Sequence, residues 1–205
     1  SRRAWSRTSS VCWPVSRRRR RLDRRGPAGR NTGIGPEAII QGNGAIRLSY
    51  IAQLRRLIGT RPIFLVGACV LVFDEEGKLL LQKRSDSLDW GTIGGSLELG
   101  ETFEQGAARE LYEEAGLTAG GFRFVALLAG EDLYYRYPHG DEVYNVVGVF
   151  EALDVRGTPT IRDDEGLELR YFPLDRPIPN LNRVSEVILR KTGLLSDSLK
   201  ERLSE

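Results

Sequence analysis

The chain has 205 residues, two cysteines, one histidine and a formal net charge of +2. This length suits one domain with flanking segments, and the longest apolar run, residues 63–73, is too short to cross a bilayer. Cys12 and Cys69 are too few for a disulfide framework or a zinc site. We therefore expect no membrane span and a reducing, cytoplasmic location.

The first 46 residues are predicted to form a basic, disordered extension. Residues 1–30 contain eleven Arg and one Asp, or +10, which leaves 2 − 10 = −8 for the remainder. High like charge without periodicity predicts disorder. Three interpretations stay open: an arm that binds nucleic acid, an organellar transit segment, or a translated stretch without a role, which we prefer.

Residues 47–195 carry the periodic patterns expected of the domain, and residues 196–205 read as a tail. Ser49 is placed to cap a short amphipathic helix that ends near Ile58. The apolar run then forms a hairpin with "LLLQKR" through a turn at Gly77. No element is assigned to "SDSLDWGTIGG", residues 85–95. Further strands are predicted in "FRFVALLAG", "DLYYRY", "EVYNVVGVFEAL" and "LELRYFPL", and a closing helix in "LNRVSEVILRKTG", which predicts a mixed α+β fold.

Another helix, from about Phe103 to Ala115, has well-marked ends. Thr102 and Gln105 form a capping box at its start, and Gly116 is suited to a left-handed cap at its end. Its apolar residues recur at four-residue spacing and predict one buried stripe, made of Phe103, Ala107, Leu111 and Ala115.

Six acidic residues lie in or beside this helix, between residues 95 and 117. Glu110, Glu113 and Glu114 project together from a second face, where like charges repel by roughly 0.2–0.5 kcal/mol per pair. Clustered carboxylates suit hard cations such as Mg²⁺ or Mn²⁺, which also bind phosphate groups. The pattern predicts a metal site that acts on a phosphorylated substrate.

These residues match a known pattern. Gly95, five residues, Glu101, seven residues and "RELYEEAGL" fill every specified position of the box Gly-x5-Glu-x7-Arg-Glu-U-x-Glu-Glu-x-Gly-U, with U aliphatic. The chain resembles the Nudix (MutT-like) hydrolases over about residues 60–192. The resemblance implies an α/β/α sandwich around a mixed sheet, and Mg²⁺- or Mn²⁺-dependent hydrolysis of a diphosphate linkage in a nucleoside diphosphate joined to another group.

The resemblance also implies roles for the residues of the box. Glu110, Glu113 and Glu114 are the expected metal ligands, and Glu110 and Glu114 thereby count as catalytic. The carbonyl of Gly95 is expected to add one ligand. Arg109 and Glu101 are expected to pair and to support the loop.

The general base is sought outside the box, because carboxylates tied to a metal are poor proton acceptors. In some members of the family a Glu shortly before the late strand has this role, which favours Glu165. Glu168 is the second candidate and Glu142 the third. All three could equally be solvated loop charges.

Residues that contact the substrate are expected outside the box as well. Trp90, Tyr135 and Arg136 are the candidates, beside the further aromatics Tyr134, Tyr137 and Tyr144. Ordinary strand packing is the alternative for each aromatic.

The substrate is expected to be a small nucleotide, and we also expect that two copies of the chain can associate. ADP-ribose-like compounds, dinucleoside polyphosphates and nucleoside triphosphates stay open, as does a diphosphate isomerase of the same fold. A non-catalytic sensor of a nucleotide sugar, which contacts DNA through the Arg-rich tail, is a second class. An RNA 5′-pyrophosphohydrolase is a third, which the acidic body disfavours.

Overall fold

The computed structural model of the protein describes residues 38–40, 46–137 and 139–195. The predicted C-terminal tail and most of the predicted basic extension lie outside these ranges. Among the described residues, no helix is long and apolar enough to span a membrane.

A short hairpin precedes the first helix. Strand β1 (Ala38–Ile40) pairs antiparallel with β2 (Ile46–Leu48), as a sheet of its own. The prediction of disorder up to residue 46 is therefore wrong for residues 38–40 and 46, which lie in these strands. Three-residue strands carry too little periodic pattern to be recognised in a sequence.

The first half of the domain follows the predicted order. Helix α1 (Tyr50–Ile58) begins at Ser49, whose hydroxyl accepts a hydrogen bond from the amide of Ala52 at 3.2 Å. Strands β3 (Ile63–Leu71) and β4 (Leu79–Arg84) follow, joined by a turn in which Gly77 has a φ of 76°. The predicted hairpin is wrong beyond the bridge of Phe73 to Leu79 at this turn, because residues 90–96 form a strand that pairs between β3 and β4. The later elements are β5 (Trp90–Ser96), α2 (Phe103–Ala115), β6 (Gly121–Leu128), a 3₁₀ turn (Glu131–Leu133), β7 (Tyr134–Arg136), β8 (Glu142–Leu153), β9 (Gly166–Phe172) and α3 (Arg183–Lys191).

Seven of the strands form one mixed sheet, in the order β6-β8-β3-β5-β4-β9, with β7 also paired to β8. Only β3 and β8 run parallel within it. Helix α2 packs on one face, around Val70 and Leu111, and α3 packs on the other, around Leu71 and Leu189. Because both faces are covered, β3 is apolar on both sides. The predicted α/β/α sandwich is confirmed.

Strand β5 is absent from the prediction. Its residues 90–92 pair with β4 along one edge, and its residues 93–96 pair with β3 along the other. Three glycines lower its strand propensity, but close contacts require two of them. A Cβ on Gly94 would lie 2.2 Å from the carbonyl oxygen of Ala68, and one on Gly95 would lie 2.5 Å from Oε1 of Glu110.

Candidate active site

Helix α2 carries the acidic residues, and its local signals fix both of its ends. The hydroxyl of Thr102 accepts from the amide of Gln105 at 3.2 Å, and the Gln105 side chain accepts from the amide of Thr102 at 2.8 Å. Gly116 ends the helix with a φ of 67°. Leu111 and Ala115 are fully buried against the sheet, and Glu110 and Glu114 lie on the neighbouring row of the helix.

The carboxylates of Glu110 and Glu114 meet the glycine-rich end of β5. Glu114 is 4% exposed, and its Oε2 accepts a hydrogen bond from the amide of Gly94 at 2.8 Å. Burial raises the pKa of Glu114 well above its ordinary value, and the charge of Glu110 raises it further. Burial also raises the pKa of Glu110 to about 7, although Arg109 acts in the opposite direction. The pair is a concentration of buried negative charge.

Arg109 holds the loop before α2 and two of the carboxylates together. Its Nε and Nη2 donate to the two oxygens of Glu101 at 2.8 and 3.0 Å, and Nη2 also donates to the carbonyl of Ser96 at 2.9 Å. Its Nη1 donates to Glu110 at 2.7 Å and to Glu113 at 3.0 Å. The predicted Arg109–Glu101 pair is therefore present, and it lowers the pKa of Glu101.

The three carboxylates differ in their partners. Glu113 is 40% exposed and shares Nη1 of Arg109 with Glu110, whereas Glu114 is bonded to Gly94. Within the described ranges, no group of three His, Cys, Asp or Glu side chains has the geometry to hold a metal ion as it stands. The physical reason is that Arg109 acts as the counterion of two of the expected ligands.

The donor set nevertheless fits a hard divalent cation. Glu110 and Glu114 offer carboxylate oxygens only, which is the chemistry that Mg²⁺ and Mn²⁺ prefer. Their burial and mutual repulsion, which raise both pKa values, would be offset by a cation between them. The carbonyl oxygen of Gly95 lies against Gly67 on β3, and its role as a ligand stays a prediction.

The loop before β9 brings Glu165 toward this pair. The charge of Glu165 raises the pKa of both Glu110 and Glu114. The loop is fixed at both ends by backbone hydrogen bonds. The amide of Thr160 donates to the carbonyl of Ala115 at 2.8 Å, and the amide of Ser85 donates to the carbonyl of Glu165 at 2.8 Å. The charge of Glu165 therefore acts on both expected ligands, and its role as the base stays a prediction.

Asp163, in the same loop, was not singled out in the sequence. Its charge contributes to the raised pKa of Glu114, and its Oδ1 accepts from the amides of Glu165 and Gly166, both at 3.1 Å. Asp163 thus shapes the turn that presents Glu165. The only sequence signal was its position in the acidic run "DDE".

Glu168, the second candidate base, lies on the other face of the sheet. It is opposite Lys83 on β4, which is itself opposite Trp90 on β5, and directly opposed residues share a face. The ring of Trp90 belongs to the core under α3. Glu168 is ion-paired with Arg170, whose guanidinium stacks over that ring at 5.3 Å. The placement of Glu168 therefore speaks against a role as base.

Glu142, the third candidate, is far from the carboxylates. It accepts a hydrogen bond from the hydroxyl of Tyr134 at 2.8 Å. Gly148 on β8 is opposite Ala68, which lies beside Gly94 in the sheet. Glu142 is six residues from Gly148 along β8, which corresponds to about 20 Å at roughly 3.3 Å per residue. Its placement also argues against it.

Trp90 was expected to contact the substrate, but its ring is in the core. It is 6% exposed and meets Phe172 edge to face, with ring centroids 4.7 Å apart. A buried ring offers no free face to a nucleobase, so the structure corrects this prediction. The Trp90 side chain instead helps to anchor α3.

Tyr135 and Arg136, two of the expected substrate contacts, alternate in β7 and point to opposite faces. Tyr135 is opposite the buried Val143, on the face that α3 covers, and its ring meets that of Tyr137 at 4.8 Å. Arg136 is exposed on the other face, together with Tyr134. The two side chains therefore lie on opposite faces of the sheet, and contact of either with the substrate stays a prediction.

A mixed sheet between two helices, with a carboxylate-bearing helix packed against a glycine-rich strand, is the arrangement that the Nudix resemblance implied. The model of the NUDIX domain family matches residues 64–191. The chain belongs to this family.

Comparison with individual proteins gives the same answer. An oxidized purine nucleoside triphosphate hydrolase of Mus musculus is 35% identical over 109 residues, which cover 52% of this chain and 65% of that protein. An ADP-ribose pyrophosphatase of Methanocaldococcus jannaschii is 31% identical over 122 residues, 58% of this chain and 68% of that protein. The solved MutT protein of Methanosarcina mazei has a TM-score of 0.54 at 20% identity, over 65% of this chain and 95% of that one, and supports the fold.

The chain spans only part of several relatives. It covers 17% and 45% of the length of two further bacterial proteins, and less than two thirds of the mouse protein.

Proposed function

We propose that this protein hydrolyses a diphosphate linkage in a nucleoside diphosphate joined to another group, with the help of a divalent cation. The observation that carries the proposal is the buried pair Glu110 and Glu114 at Gly94. Burying a carboxylate costs free energy unless a partner offsets it. A solvated acidic face of α2 would not be expected to bury Glu114 to 4% exposure.

The proposed chemistry divides the work among residues that are close together. Glu110 and Glu114 would hold the cation. Glu113 would release its bond to Arg109 and become a third ligand of the cation. Such a cation neutralises the diphosphate and lowers the pKa of an attacking water. Glu165 would accept the proton of that water, because it is near the pair but exposed. Arg109 would keep the loop in place through Glu101.

The substrate within this class is left open. The relatives' names cite oxidized purine nucleoside triphosphates, ADP-ribose and, for bacterial proteins 28–29% identical, NAD-capped RNA. These substrates differ in base, sugar and leaving group, but they share the diphosphate. We therefore propose the shared chemistry, with either Mg²⁺ or Mn²⁺.

The test is a panel of ADP-ribose, NAD, a dinucleoside polyphosphate and an oxidised purine nucleoside triphosphate, each incubated with Mg²⁺ or Mn²⁺. Products are identified by mass. We expect cleavage between two phosphorus atoms that requires the cation and is lost in Glu114→Gln. The exposed Glu104, in the first turn of the same helix, gives the control Glu104→Gln, which should retain activity. Binding without turnover, independent of the cation, would instead identify a sensor.

We further propose self-association and a cytoplasmic location. Phe64, Phe124 and Tyr144 are exposed on one face of three neighbouring strands, and exposed apolar side chains of this kind favour contact with a second copy. Light scattering of the wild type and of Phe124→Ser tests the association, and cell fractionation tests the location.

A further inference from the structure

Glu98 lies in the loop between β5 and α2, and its side chain contacts α1, an element distant in sequence. Both of its carboxylate oxygens accept from the amide of Tyr50, the first residue of α1, each at 3.1 Å. In the same turn, the hydroxyl of Ser49 accepts from the amide of Ala52. The first turn of α1 contains no acidic residue of its own. Glu98 therefore supplies, from another part of the chain, the negative charge that stabilises a helix N-terminus.

The backbone of Glu98 is joined to Glu101, the residue that supports Arg109. The amide of Glu98 donates to Oε2 of Glu101 at 2.8 Å, and the amide of Glu101 donates to the carbonyl of Glu98 at 3.1 Å. The same Oε2 accepts from Nη2 of Arg109 at 3.0 Å. One carboxylate oxygen is thus held by the loop and by the guanidinium together, so the position of Glu98 helps to fix that of Arg109.

These contacts form one continuous path from α1 to the carboxylates of α2. The path runs from α1 through Glu98 and Glu101 to Arg109, which donates to Glu110 and Glu113. If Glu113 releases its bond to Arg109 in favour of a cation, the bonds to Glu101 are left to hold the guanidinium in place. The placement of Glu101 then decides how readily the carboxylates can accept the cation.

Helix α1 is an element whose attachment can change. All nine of its side chains, which the structure describes, are at least partly exposed. Polar contacts attach the helix at both ends. Glu98 holds its first turn, and near its last turn Nε of Arg55 lies 3.0 Å from Oδ2 of Asp141, while Nη2 donates to the carbonyl of Glu142 at 2.8 Å. An element that buries little apolar surface opens at a lower free energy than the core, so docked and released α1 are two accessible states.

We propose that Glu98 is a positioning residue of the metal site, which couples the docking of α1 to the binding of the cation. Glu98 acts through Glu101 and Arg109, without contacting the cation. This inference rests on the proposed function and deepens it. The factor by which docked α1 raises cation affinity must equal the factor by which the cation favours docking. In a purely structural role, Glu98 would stabilise α1 and leave the affinity for the cation unchanged.

The first measurement is the binding of Mg²⁺ to the full chain by titration calorimetry. Glu98→Ala removes the acceptor of the Tyr50 amide and should weaken binding by about tenfold, as for other residues that orient metal ligands from outside the coordination sphere. Glu98→Gln keeps an oxygen that accepts from this amide and should retain most of the affinity. The two variants lose the same negative charge, so an effect of charge alone would weaken both equally.

The second measurement is hydrogen exchange in α1 with and without Mg²⁺, followed by mass spectrometry of peptides that contain Tyr50. In the wild type, Mg²⁺ should slow exchange at the first turn of α1, by about the factor that separates the Mg²⁺ affinities of the wild type and Glu98→Ala. In Glu98→Ala, exchange there should be faster and insensitive to Mg²⁺. This readout does not depend on turnover of any compound.

Asp74 gives the matched control, because its carboxylate also accepts from backbone amides of another segment turn. Its Oδ1 accepts from the amides of Glu76 at 3.0 Å and Lys78 at 2.8 Å, in the turn between β3 and β4. Asp74→Ala should lower the melting temperature but bind Mg²⁺ like the wild type and keep the response of α1. In the hydrolysis assay, Glu98→Ala should raise the Mg²⁺ concentration needed for half-maximal turnover more than it lowers kcat.

Wild-type Mg²⁺ affinity in Glu98→Ala would overturn the inference and leave the proposed function in place. The same holds if exchange of α1 in the wild type does not respond to Mg²⁺, or if Glu98→Gln loses as much affinity as Glu98→Ala. A wild type that binds no Mg²⁺ would contradict both proposals. A wild type that binds Mg²⁺ with the expected response of α1, but hydrolyses none of the panel compounds, would contradict the proposed function and retain the role of Glu98.

Discussion

Without metal ions, the domain should become less stable as the pH rises from about 5 to about 8, because of Glu110. Its pKa is raised from 4.5 to about 7 in the folded protein. Between these values the folded protein retains a proton that the unfolded chain has lost, so a rise in pH favours unfolding. Each pKa unit corresponds to about 1.4 kcal/mol, so ionisation of Glu110 costs the folded state about 3 kcal/mol, all of it present above pH 7.

The assay is urea denaturation in EDTA across this pH range. Replacing Glu110 by Gln removes the titrating group and keeps its size, so Glu110→Gln should unfold at higher urea than the wild type at pH 8. At pH 5 the two proteins should differ little. Glu104→Gln serves as the control, because Glu104 is exposed on the same helix, and its profile should run parallel to that of the wild type.

The same reasoning gives the effect of the cation. Mg²⁺ binds ionised carboxylates, so at saturating concentration it should stabilise the wild type more at pH 8 than at pH 5. The gain should be smaller in Glu110→Gln. If the profile of Glu110→Gln without metal is parallel to that of the wild type, burial of Glu110 is not the origin of the pH dependence and the argument fails.

Three further predictions concern activity and the N-terminal segment. Glu113→Gln and Glu114→Gln should each nearly abolish turnover without unfolding the domain; near wild-type turnover of either at saturating Mg²⁺ would contradict its assignment as a ligand. Glu165→Gln should lower kcat by roughly 10² to 10⁴, leave KM and metal affinity almost unchanged and flatten the acidic limb of the pH profile; a loss below threefold with that limb intact would exclude it as the base. Removal of residues 1–46 should leave the melting temperature and hydrolysis unchanged, because the β1–β2 hairpin is separate from the main sheet, and a large fall in either would show that the segment belongs to the working structure.

Helix α2 could be predicted to its last residue because its signals are local. A capping box, a four-residue apolar repeat and a glycine with positive φ each depend on neighbours within one or two turns. The turn between β3 and β4 and the strong strand β8 were predicted for similar reasons, but the predicted pairing of β3 with β4 was wrong, because β5 lies between them in the sheet. The overall class followed from the order of these elements, and the family model and the solved neighbours confirm it.

The placement of side chains outside the box depended on information that is not local. Trp90 looked suitable because aromatic residues often contact nucleotides. Whether its ring faces a site is decided by the register of β5 against strands distant in sequence. Likewise, spacing along α2 placed three carboxylates on one face, but it did not show that Arg109 pairs with Glu110 and Glu113 while Glu114 accepts from Gly94.

In strand β5, the same glycines that lie beside the site also lower the predicted strand propensity of the segment. Gly94 approaches Ala68 too closely for any side chain, and its amide is thereby free to face Glu114. Gly95 leaves the volume that the Glu110 carboxylate fills. Both glycines weaken the signal of a strand and at the same time let a carboxylate of α2 approach it. The poor strand propensity of residues 90–96 therefore has a structural reason, because glycines are required where this strand contacts Ala68 and the carboxylates of α2.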